Sequence, residues 1–232
     1  MKVIIACEES QVVCKAFREK GHEAYSCDTL PCSGGHPEWH IKGDIRNVLN
    51  SSFMAFGQFW TEAETVDRIN SWDLMIAFPP CTYLTVTGNK WFKPEFKDRF
   101  PDRERQRQEA IKFFMDLYLA DIEKIAIENP IGIMSTELRK PDQIINPYYF
   151  GDEARKSTCL WLKGLPKLVH IKESDLFDKK THVSQGKITT YKSGKTCAKW
   201  YADAIKLTPQ ERMKVRSQTF QGIANAFANQ WG

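Results

Sequence analysis

The sequence predicts an α/β protein built on a mostly parallel sheet, with a small basic segment toward its C-terminal end. Three observations carry that expectation. Apolar runs of strand length recur along the chain, at residues 2–6, 73–78 and 124–127, with amphipathic stretches of helical period between them. The runs are apolar throughout rather than alternating, as in strands covered on both faces. Basic residues gather between 163 and 217, where thirteen Lys or Arg stand against five Asp or Glu, although the whole chain carries a formal charge of only +4.

The elements follow in order. Lys2-Val3-Ile4-Ile5-Ala6 is a buried first strand, and residues 10–20 place Val12, Val13, Ala16 and Phe17 on one helical face before Gly21 stops the helix. Residues 23–27 read as a second strand. After a Pro/Gly-rich loop at 31–37, "HIKGDI" ends a short third strand, and residues 73–78 form a fourth that stops at Pro79-Pro80. Residues 103–120 set Ala110, Phe113, Phe114 and Leu117 behind a charged face, which describes a crossover helix. "KIAIENP" is a fifth strand over 124–127 that ends in Glu128, Asn129 and Pro130. Residues 139–151 have the Pro, Asn and aromatic content of an ordered surface loop, and "STCLWLKG" at 157–164 is a further strand. This divides the chain into a core at 1–164, a basic substrate-recognition segment at 165–217, and a helix at 218–232 that returns to the core.

Composition narrows the function classes. With 232 residues, 42% hydrophobic, the chain can bury a single core. No run approaches the ~20 apolar residues of a membrane span, and "MKVIIACEES" reaches carboxylates too soon for a signal peptide, so the expected location is cytoplasmic. Seven cysteines, an odd number, argue against a disulfide framework and leave each thiol as core filling or chemistry. The basic excess suits a polyanion such as a nucleic acid. Trp161, Tyr191, Trp200 and Tyr201 would serve as stacking surfaces or as core. Cys27, Cys32, His36 and His40 offer zinc-type ligands at a spacing that fits no common zinc site, so no metal is expected.

In open α/β sheets ligands bind beyond the carboxyl ends of the strands. The first such loop, "ACEESQ", has no glycine to admit a pyrophosphate and offers Glu8 and Glu9 instead. Carboxylates there suit a cationic cofactor without phosphates, and S-adenosylmethionine, with its sulfonium and ammonium groups, fits that description. Asp28 closes the second strand where ribose hydroxyls would lie, and Asp44 sits after the third, near an adenine edge; each acid taken singly could equally be a helix cap or turn residue. Cys81 leaves the fourth strand through two prolines that hold its thiol at the edge of the site, and Glu128 leaves the fifth in a neighbouring loop. A thiolate and a carboxylic acid beside a methyl donor describe conjugate addition to a pyrimidine at C6, with proton donation at N3 and methyl transfer to C5.

"PPCTYL" and "IENPIG" resemble the Pro-Cys and Glu-Asn motifs of the C5-cytosine DNA methyltransferases, and "FQGIANAFANQW" resembles their C-terminal Gly-Asn motif, carried here by Gly222 and Asn225. The resemblance implies a Rossmann-like S-adenosylmethionine-dependent methyltransferase fold acting on duplex or single-stranded DNA. Cys81 would be the nucleophile and Glu128 the N3 proton donor, with Asn129 or the Pro80 backbone orienting the base. Ala6, Cys7, Glu8, Glu9, Ser10, Gln11, Asp28, Asp44, Ile45, Phe78 and Asn225 would hold the cofactor, and Thr82, Arg155 and Lys156 would meet the substrate. The chain departs from the family in three places. Its first loop lacks the Phe-x-Gly-x-Gly-Gly pattern. "ARKSTCLW" stands where a Gln-x-Arg-x-Arg strand belongs. The segment available for target recognition is short. Those departures keep two alternatives open, a free pyrimidine nucleotide or RNA as acceptor, and a nucleic-acid-binding module without turnover.

Overall fold

The computed structural model describes residues 1–49, 58–63, 65–67, 71–174 and 177–232. Seven strands form one sheet: β1 (Lys2–Ala6), β2 (Glu23–Asp28), β3 (His40–Lys42), β6 (Leu74–Ala77), β7 (Lys124–Pro130), β8 (Gln143–Ile145) and β9 (Thr158–Lys163), in the order β3-β2-β1-β6-β7-β9-β8. Two short hairpins lie outside it, β4 (Gln58–Trp60) with β5 (Thr65–Asp67), and β10 (Ile188–Thr190) with β11 (Thr196–Ala198). The helices are α1 (Val12–Glu19), α2 (Ile45–Leu49), α3 (Arg103–Tyr118), α4 (Met134–Glu137), α5 (Lys199–Asp203), α6 (Pro209–Ser217) and α7 (Gln221–Trp231).

Alternation along the buried strands builds a core on each face of the sheet. Ile4 and Ala6 of β1, Met75 and Ala77 of β6, and Ile125 and Ile127 of β7 pack with Phe114 and Leu117 of α3 and with Ile45 and Val48 of α2. Their neighbours Val3, Ile5, Leu74, Ile76 and Ala126 pack on the other face with Val13, Ala16 and Phe17 of α1 and with Ile223, Phe227 and Trp231 of α7. Helices on both faces make the sheet doubly wound, a Rossmann-like architecture. The strand order reverses between β1 and β6, which puts the topological switch point where the first and fourth strands end.

Two local expectations need correction. Residues 139–151 are not only loop, because Gln143–Ile145 adds β8 at the sheet edge, antiparallel to β9. β9 also runs against β7, pairing Ile125 with Lys163 and Pro130 with Thr158. The link from β8 to β9 holds a single 3₁₀ turn, Pro147–Phe150, and lacks the helix that a parallel return needs. This reversal lengthens β7 to Pro130, past the expected end at 127, since Glu128, Asn129 and Pro130 each find a partner on β9.

Candidate active site

β6 and β7 are parallel neighbours with Ala77 opposite Ile127, so the loops carrying Cys81 and Glu128 emerge side by side. One side-chain bond and two backbone bonds then staple those loops together. The Asn129 amide Nδ2 donates to the Pro79 carbonyl at 2.9 Å, the Val86 N–H to Ile131 O at 3.2 Å, and the Ile133 N–H to Leu84 O at 2.8 Å. Gly132 permits the contact, because a Cβ at that position would run into the Leu84 carbonyl. Pro79 is buried and Pro80 exposed. The Cys81 carbonyl accepts from Leu84 N at 3.0 Å and Thr85 N at 3.2 Å, which starts a tight turn and leaves the thiol half-buried and Thr82 exposed.

β9 brings in the third side of the site. Because it runs antiparallel, its first residue, Thr158, and the preceding Lys156 arrive at the carboxyl edge of the sheet. The Thr158 hydroxyl donates to Oε1 of Glu128, and Lys156 Nζ donates to the Gln218 carbonyl at 2.9 Å. Phe78, Glu128, Lys156 and Thr158 line a pocket whose opposite wall is residues 217–220 and Ile223. Burial raises the pKa of Glu128 above the usual carboxylate range, against the pull of Lys156. The Cys81 thiol is raised by burial first and by the charge of Glu128 second, and Lys156 again opposes. Cys81, Glu128 and Lys156 thus act on one another from three different strand ends.

A second group of expected residues gathers at the ends of β1, β2 and β3. Cys7 is half-buried, and burial, followed by the charges of Asp28, Cys27 and Asp44, raises its thiol far above the ordinary value. Asp28 uses Oδ1 to accept from Leu30 N at 2.9 Å, while its Oδ2 has no bond among the described residues. Asp44 caps the turn into α2, accepting from Arg46 N at 2.9 Å, and the Arg46 guanidinium holds its carboxyl below the usual range. Buried Ile45 follows it, and Ala6 joins this group to the pocket by accepting from the N–H of Phe78 at 2.9 Å. The glycine-free loop turns by placing Cys7 at φ 61° and Gln11 at φ 58°, a left-handed conformation that costs a side-chain-bearing residue about 1 kcal/mol or more. A carboxylate with a free oxygen, and no phosphate-cradling glycines, suits a cationic cofactor with ribose hydroxyls. Backbone at 6–11, Asp28, Asp44 and Phe78 are the groups that would hold it.

Other expected residues face elsewhere. Glu8 is buried and turned inward, accepting from Val13 N at 2.7 Å and Cys14 N at 3.2 Å, so it caps α1 and does not present its carboxylate to the cleft. Gln11 is fully buried, donating to His36 O at 2.8 Å and accepting from His36 N at 3.0 Å, and so pins the 32–36 loop. Glu9 and Ser10 are half-exposed between these two, with Glu9 O accepting from Ser33 N at 2.9 Å. Asn225 lies on the exposed face of α7 and accepts from Gln221 at 2.8 Å, away from the cleft. Gly222 of the same motif has a packing role, since a Cβ there would strike the Phe150 carbonyl. Arg155 is exposed, and Lys156 is the one of the pair that lines the pocket. His40 is buried against Ser26 Oγ at 2.9 Å, and His36 pairs with Glu38 at 2.8 Å. Thr158, Gln218 and Phe220 complete the pocket without having been expected there.

Just beyond Cys81, rings and cations interleave. Lys90 Nζ lies 4.3 Å from the Trp91 ring, the Arg99 guanidinium 5.9 Å from the same ring, and those of Arg103 and Arg107 4.8 and 3.3 Å from Phe92. None of these four cations forms an ion pair among the described residues, whereas Arg105 binds Glu109 at 2.6 Å.

No family model matches the sequence, and no curated protein matches it. Among solved structures, a candidate DNA modification methyltransferase encoded within a prophage, from E. coli, is similar over 70% of this chain at 14% identity with a TM-score of 0.43. The similar region spans 46% of that protein's length, and likeness of this degree carries no argument about cofactor or substrate.

Proposed function

We propose that the protein is an S-adenosylmethionine-dependent methyltransferase that modifies C5 of cytosine in DNA through a covalent bond between Cys81 and C6. The observation that carries this reading is the pairing, at adjacent strand ends, of a half-buried thiol with a carboxyl group held above its ordinary pKa. A protonated carboxyl is what N3 of the ring requires. In the cycle, Cys81 loses its proton to water and its Sγ bonds C6, while Glu128 passes its proton to N3 and takes up the displaced charge. The bound cofactor supplies the methyl group for C5 and keeps the bonding electron pair on its sulfur. Loss of the C5 proton to solvent then expels the Cys81 thiolate, and the N3 proton returns to the Glu128 carboxylate, which restores both the ring and the acid. Lys156, drawing both Cys81 and Glu128 toward their charged forms, favours the thiolate and stabilises Glu128 once its proton has gone.

The test is methyl transfer to undermethylated DNA followed by digestion to nucleosides. The wild type is expected to yield 5-methyldeoxycytidine, Cys81→Ser none, and Glu128→Gln at least a hundredfold less, on the scale of a lost general acid. The N4 isomer, or full activity in Cys81→Ser, overturns the cytosine C5 mechanism. The inward turn of Glu8 favours one second reading, a nucleic-acid-binding module of the same fold without turnover. Calorimetric titration with S-adenosylmethionine separates the two, since that module binds DNA and not the cofactor.

A further inference from the structure

We infer that Thr158 is a positioning residue for Glu128: its hydroxyl grips Oε1 and so reserves Oε2 as the oxygen that carries the proton into the pocket. The inference deepens the proposed function and rests on it for the proton's destination, while the grip itself can be tested without catalysis. Thr158 is 3% exposed and sits opposite Pro130 in the β7–β9 register, two residues from Glu128. A β-branched residue on a buried strand has few χ1 choices, so its single proton is aimed by the backbone. Of the two acceptors in reach, the Asn129 carbonyl is distant at 3.4 Å, and Glu128 Oε1 takes the bond. A hydroxyl keeps no charge at any pH of interest. It therefore fixes the carboxyl without forming the ion pair that would hold Glu128 ionised and remove the acid from the site.

The charged and titratable groups facing Glu128 are Lys156 and Cys159 on the β9 side and Cys81 on the β6 loop. Lys156 favours ionisation, and the grip of Thr158 on an ionised oxygen does the same, each against the effect of burial. Removing the hydroxyl then moves Glu128 titration to higher pH and frees the carboxyl to rotate.

The experiment follows the Glu128 carboxyl by carbon-13 NMR across pH in wild type, Thr158→Val and Thr158→Ser, with Glu128→Gln to identify the signal. Thr158→Val is expected to titrate higher, and Thr158→Ser close to wild type. In the methyltransfer assay, Thr158→Val is expected to lose ten- to a hundredfold in kcat with KM little changed, its alkaline limb moving to higher pH. Thr158→Ser restores both. An unmoved carboxyl midpoint in a folded Thr158→Val overturns the inference, and so does an unaltered kcat. Full activity of Cys81→Ser, run alongside, overturns the cytosine C5 reading instead, and the NMR midpoints still decide whether Thr158 grips Glu128.

Discussion

Glu8 and Glu128 are both carboxyl groups that burial holds above the usual range, and they serve different ends. Glu128 keeps a neighbouring cation and lines a pocket, whereas Glu8 is enclosed by the first turn of α1, with its pKa pushed up to about 7. In the folded state Glu8 binds its proton more tightly than in the unfolded chain, where the value is near 4.5. Its contribution to stability is therefore complete at low pH and is lost as pH rises from about 4.5 through about 7. Denaturant unfolding of wild type and Glu8→Gln across that window should show the wild type losing stability relative to the variant, by on the order of 3 kcal/mol in total. The inward turn of Glu8 could not be read from "ACEESQ". Two consecutive acids at a strand end look equivalent until the left-handed Cys7 sends the chain back over the helix it is about to start.

At the scale of elements, the site depends on two loops held together by backbone bonds and by the Asn129 side chain. Gly132 lies against the Leu84 carbonyl, and a methyl group there must push the β6 and β7 loops apart. Gly132→Ala is expected to cost about 1–3 kcal/mol of stability in urea unfolding, the range for overpacking, with a fall in methyl transfer beyond what the unfolded fraction explains. The strands and the long helix were legible because apolar runs and 3.6-residue spacing are local signals: β1, β2, β6, α1 and α3 all appear within a few residues of their expected bounds. The adjacency of Cys81 and Glu128 was legible too, since parallel neighbours end at the same edge. The direction of β9 was not, because "STCLWLKG" is equally apolar whichever way it runs. Without that direction Thr158 had no reason to be placed beside Glu128.

For the molecule as a whole, charge is distributed over two basic surfaces, the 163–217 segment and the ring-backed cations at 90–107. The segment's basic residues are partly engaged: Lys199 and Lys206 share Asp203, and Arg212 and Arg216 bond nearby carbonyls. The cations Lys90 and Arg99 are exposed beside the Cys81 loop and form no ion pair among the described residues. If DNA is the substrate, Lys90→Gln with Arg99→Gln should weaken binding uniformly across sequences and lower the slope of log affinity against log salt by about one per residue. The pair Lys199→Gln and Lys206→Gln, already engaged by Asp203, should change that slope less in the same anisotropy titration.

The antiparallel course of β9 has a consequence for how such a protein can diversify. The chain enters β9 at the site and leaves it at the far edge of the sheet, then returns at Gln218 to meet Lys156. Between departure and return the chain is tied back to the core at Leu168, which exchanges two bonds with Gln143, and at Val183, whose N–H donates to the Tyr148 carbonyl. The β10–β11 turn lies outside the main sheet, and its length can change without altering the spacing of Cys81, Glu128 and Thr158. The candidate site is in that sense insulated from changes at that turn.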